Sequence, residues 1–158
     1  MNKALRERQI FLDFAAVAGL QIEPGTVRTL KPPKPDISCR IANQLHYFEL
    51  CEITDRGVAR RLAKALREMK ITGGFFSQTE PLVQTFVGKA GKNYNVHGQP
   101  LELLAYYDKQ LPPPNDCESF IERNVGLISE GMGIRGPWTR LWVYNANNKR
   151  VLWLHPRE

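Results

Sequence analysis

The chain has 158 residues, of which 42% are hydrophobic and 24% charged, and it carries a formal net charge of +6. Those proportions exclude a disordered polymer and fit one folded domain, residues 1–158, large enough to bury its own core. No apolar run reaches the roughly 18 residues that a membrane-spanning helix requires, and the basic balance favours polyanionic partners such as nucleic acid.

Cys39, Cys51 and Cys117 are odd in number, irregularly spaced and form no CxxC pair. That excludes a disulfide framework and a structural zinc site, and a reducing, cytoplasmic setting is the expectation. The N-terminus begins basic and turns apolar, as a signal peptide does. Glu7 and Asp13 interrupt it, however, and its apolar residues recur at helical spacing.

Residues 3–19 are therefore expected to form an amphipathic helix. Leu5, Ile10, Phe11, Phe14, Val17 and Ala18 would make its buried face, and Gly19 would close it. A short strand is expected within 27–30. Residues 31–35, Lys-Pro-Pro-Lys-Pro, cannot be helix or central strand and deliver the chain stiffly to Asp36. Residues 36–41 and 45–53 read as a β-hairpin around the break 42–44. Thr54 or Asp55 would cap a helix to about residue 70. A second helix is expected over about 80–90, with Pro81 in its first turn.

Residues 101–107 form an almost wholly apolar run, as the centre of a sheet does. Asn115 or Asp116 would start another helix ending near residue 130, and a glycine-rich loop follows over 131–137. Residues 138–144 and 150–154 read as a terminal hairpin. This order of elements predicts an α/β domain: a mixed β-sheet flanked by helices, closed by a C-terminal β-hairpin.

The chemistry concentrates in the first hairpin. Strand alternation sets Glu49 on one face with Leu45, Tyr47, Cys51 and Ile53, and Glu52 on the other. A carboxylate amid apolar neighbours is costly unless it is paired, hydrogen-bonded or bound to metal. Asp36, at the start of the partner strand, falls near the later part of the second. Two converging carboxylates suit a hard divalent cation, which can activate water and stabilise phosphoryl charge.

Pro35-Asp36, a hairpin, then Glu49-Leu50-Cys51 resembles the signature of the PD-(D/E)XK nuclease superfamily. Members often carry a glutamate on the first helix, and Glu7 matches. The order helix, three strands, helix, strand extends the resemblance to about Tyr107. It implies a restriction-endonuclease-like core, with Asp36 and Glu49 holding Mg²⁺ or Mn²⁺, Cys51 beside them in the metal set, and Glu7 assisting through water. It also implies hydrolysis of phosphodiester bonds in nucleic acid. Duplex-cutting relatives often pair, so a homodimer is a further expectation, and a protein partner is open.

The sequence departs from the pattern at Cys51, where the motif has lysine. A thiol neither orients water nor neutralises negative charge as an ammonium does. In some relatives the lysine comes from the next helix, and Lys89 or Lys92 would supply it here, with Gln84 a polar candidate one turn earlier. Arg56, Arg60, Arg61, Lys64 and Arg67 recur at helical spacing and would line a phosphate backbone.

Each residue also has a plainer reading. Asp36 serves a turn. Glu49 pairs with Arg40 on the neighbouring strand. Glu7 and the basic run are solvated, and Cys51 is a small core residue. Trp138, Trp142, Trp153 and Tyr144 either stack bases or pack the core. Against catalysis stands a second function: an inactive nuclease-fold module that binds nucleic acid or a protein.

Overall fold

The computed structural model describes residues 2–53, 85, 89, 94–108, 113, 117–123 and 138–156. Helix α1 spans Lys3–Ala18. Asn2 starts it, its side chain accepting the Leu5 N–H at 2.9 Å. Gly19 ends it in the left-handed conformation (φ 72°), and the Leu20 N–H returns to the Ala15 carbonyl.

The buried face of α1 differs from the expected one. Glu7, Ile10, Phe11, Phe14 and Ala15 are buried, whereas Leu5 and Val17 are 56% and 46% exposed. Helical geometry explains this. At about 100° per residue, Glu7 lies within roughly 10° of the stripe centred on Phe11 and Phe14, and Leu5 lies roughly 150° away.

Six strands follow: β1 (Arg28–Thr29), β2 (Ile37–Ile41), β3 (Gln44–Glu52), β4 (Leu101–Tyr107), β5 (Trp138–Asn145) and β6 (Arg150–His155). They form one sheet in chain order. β1–β2 and β2–β3 pair antiparallel, β3, β4 and β5 are parallel, and β6 returns antiparallel to β5. The β2–β3 turn is shorter than expected, because Gln44 already belongs to β3. Ala42 and Asn43 both take positive φ (52° and 62°), the pairing whose twist matches that of the flanking strands.

All seven residues of β4 are buried, as its central place requires. Parallel pairing demands crossovers between β3, β4 and β5. Thr85 and Lys89 are helical within the first crossover, and helix α2 (Cys117–Arg123) lies within the second.

The sheet is covered on both faces. On one, Ile10, Phe11 and Phe14 of α1 pack against Ile37, Phe48, Leu50, Leu104, Trp142 and Tyr144. On the other, Ile121 of α2 joins Cys51, Ile53, Leu103, Ala105, Val143 and Trp153. Trp138, Trp142, Trp153 and Tyr144 are thus buried core residues, which removes them as platforms for stacking bases. Among the described residues no helix is long and apolar enough to cross a membrane.

Candidate functional site

The site grows out of the place where β2 stops. Ile37 pairs with Phe48, so continuing the antiparallel register by one residue sets Asp36 opposite Glu49. Tyr47 and Ile53 donate their N–H groups toward β4, to Pro100 and Tyr106. By alternation the Leu50 N–H points the other way, past the end of β2. The Asp36 carboxylate takes that donor, Oδ2 accepting it at 2.8 Å. The buried Pro35 fixes the approach of the chain.

Glu49 is only 4% exposed. Its counter-charge is Lys89, whose Nζ stands 3.3 Å from Oε2 with its side chain 12% exposed. Thr85, four residues before Lys89, is fully buried. Burial pushes the Glu49 carboxyl up to about 7, a hydrogen bond with Asp36 adds to the rise, and Lys89 opposes it.

Glu7 reaches the same end of the hairpin from α1. Burial raises its pKa, the negative charge of Asp36 adds to this, and Lys3 and Lys89 pull it back. Lys3 Nζ lies 3.7 Å from Glu7 Oε1 across one helical turn. Asp36, Glu49 and Lys89 open onto a cavity of about 350 Å³. Lys3, Pro32, Pro33, Lys34, Leu50 and Tyr94 complete its lining. A larger cavity of about 420 Å³, between α1 and residues 20–28, holds no carboxylate pair, and its arginines are committed to carbonyls: Arg8 to Val27, Arg28 to Gly25.

The structure therefore brings Glu7, Asp36, Glu49 and Lys89 into one electrostatic cluster. Cys51 shares that face of β3, about 7 Å further along the strand. It packs with Ile53 and Leu103 in the apolar core, and its thiol lies 3.9 Å from the Glu52 carbonyl. Among the described residues no three potential ligands close around one point. Arg40 does not pair with Glu49 either. It sits at the turn end of the hairpin and donates to the Asn43 carbonyl at 3.2 Å. Glu52 points to the opposite face, as alternation requires, and pairs with Arg6 at 2.6 Å. Lys92, Gln84 and the run Arg56, Arg60, Arg61, Lys64 and Arg67 lie outside the described residues.

One carboxylate escaped the sequence reading. Glu102 in β4 is 2% exposed and accepts from Trp142 Nε1 at 2.8 Å. His46 Nδ1 lies at 3.3 Å and Arg140 Nε at 3.7 Å. The available signal was the lone acid in Leu101-Glu-Leu-Leu-Ala-Tyr-Tyr107. No family model, curated protein or solved structure matches this chain.

Proposed function

We propose that this protein is a metal-dependent nuclease of PD-(D/E)XK type, with a restriction-endonuclease-like core. The observation that carries the reading is Lys89: an ammonium from the β3–β4 crossover stands on Glu49, beside Asp36. A cation thereby occupies the neighbourhood that Cys51 cannot serve. The antiparallel β1–β2–β3 meander followed by a crossover to parallel β4 supports the same reading.

The donor set is compatible with a hard cation. Mg²⁺ is commonly held by one or two carboxylates, with water and substrate phosphate filling the remaining positions, and Asp36 and Glu49 provide that pair. When bound, such an ion supplies Lewis-acid stabilisation of phosphoryl charge. The chain's own residues do the rest. Asp36 is anchored by the Leu50 N–H, which fixes its orientation. Glu49, whose carboxyl burial raises to about 7 in the metal-free protein, would hold the ion in its ionised form. Lys89 neutralises negative charge at the same spot. Glu7 adds a third carboxylate behind Asp36.

A screen of single- and double-stranded DNA and RNA with Mg²⁺ or Mn²⁺ tests the proposal. Activity is expected to fall about 10²–10³-fold in Lys89→Ala, the usual loss on removing one electrostatic stabiliser. It should survive Cys51→Ala. No hydrolysis by the folded protein, or equal activity in Lys89→Ala, would contradict it.

A second reading has its own observation. The Lys89–Glu49 contact also neutralises the buried carboxylate without any metal, as an inactive nucleic-acid-binding module would require.

A further inference from the structure

The cavity at Asp36 and Glu49 is small, and its lining mixes charged and apolar residues. At about 350 Å³ it sits at the low end of small-ligand pockets. A duplex keeps its bases stacked inside and can only lie across such an opening, whereas an unpaired nucleotide can enter it. Its lining combines the charged groups Asp36, Glu49 and Lys89 with the exposed Pro32 and Pro33 and with Tyr94. Tyr94 is half-buried and held edge-on against Trp138, with ring centroids 6.1 Å apart at 79°. Pro32 and Pro33 sit in a loop closed by the Lys34 N–H to the Lys31 carbonyl and by the Leu30 N–H to the Asp36 carbonyl. Lys3, with its side chain 85% exposed, and the exposed Lys34 stand among the lining residues where solvent reaches them.

On the reading of this pocket as a phosphodiester site, we infer that it takes one unpaired nucleotide of a single strand, with the base against Tyr94 and the Pro32-Pro33 surface. The scissile phosphate lies toward Asp36, Glu49 and Lys89. The adjoining phosphate meets Lys3 and Lys34. Aromatic stacking is tolerant of sequence, because every base presents a π-face, so the pocket selects strandedness and not sequence. Tyr94 and Lys34 are the substrate-binding residues this adds.

The test is fluorescence anisotropy in EDTA at low salt, with a labelled oligonucleotide of mixed sequence prepared as DNA and as RNA. Each is compared with the same strand annealed to its complement with blunt ends. At least one single strand is expected to bind about tenfold tighter than its duplex. Tyr94→Ala should weaken that binding about tenfold, the order expected of one stacked base, while Tyr94→Phe binds as the parent does. Lys34→Glu, a change at an exposed position, should weaken it as well. Duplex bound as tightly as single strand, no binding of any probe, or Tyr94→Ala and Lys34→Glu variants that are folded and bind unchanged would each overturn the inference. The assay reads neither metal nor hydrolysis, so its failure is distinct from failure of the nuclease reading. Single-strand selection without Mn²⁺ binding sinks the nuclease alone, and Mn²⁺ binding with duplex preference sinks the pocket assignment alone.

Discussion

Glu49 and Glu102 stand on neighbouring strands and are almost equally hidden from solvent, yet they do different work. Glu102, on the α1 face of the sheet, is flanked from both neighbouring strands, by His46 of β3 and by Arg140 and the Trp142 indole of β5. Glu49, on the opposite face, faces the cation Lys89 and a second carboxylate, Asp36, and it borders a cavity. Burial alone therefore does not mark a functional acid. The signs of its neighbours, and whether water can reach it, separate a sealed structural group from a chemically poised one.

Substitution should expose the difference most strongly at Glu102. Glu102→Ala leaves the Trp142 N–H, His46 and Arg140 without their shared acceptor, and is expected to cost about 3–5 kcal/mol in urea unfolding. A cost below about 1 kcal/mol would erase the contrast.

Glu49 should behave in the opposite sense. Its folded-state carboxyl is held near 7, above the ordinary 4.5, so folding favours the protonated form. That contribution to stability is fully present below about pH 4.5 and is lost as pH rises through 7. The wild type should lose on the order of 2 kcal/mol in this way, and Glu49→Gln should remove that slope. Thermal melts of both proteins across this window check the sign. A Glu49→Gln variant that keeps the slope would place its origin elsewhere.

A third variant sharpens the comparison from outside the core. Arg6 joins Glu52 and Asp108 at the exposed C-terminal end of the parallel strands. Because solvent screens this network, Arg6→Ala should cost no more than about 1 kcal/mol in the same urea assay. A larger loss would show that charge at this edge matters as much as charge inside the sheet.

Much of this architecture was legible in the residues. The hairpin followed from alternation around a polar break, β4 from an unbroken apolar run, and the convergence of Asp36 and Glu49 from antiparallel register. What escaped depended on angles and distant partners. The apolar character of Leu5 drew it into the expected buried face of α1, although the angle from Phe11 and Phe14 selects Glu7. The choice of Lys89 as the residue on Glu49 depends on where a crossover helix lands, which spacing does not encode. Glu102 was obscured because Trp142 and His46 come from strands 40 and 56 residues away.

The central claim is that Asp36 and Glu49 together form a site for a divalent cation, and calorimetric titration of Mn²⁺ into the metal-free protein tests it most directly. Binding by the wild type that disappears in Asp36→Ala/Glu49→Ala is the predicted result. A folded wild-type protein that takes up no Mn²⁺, or a double variant that binds it equally well, would contradict the claim.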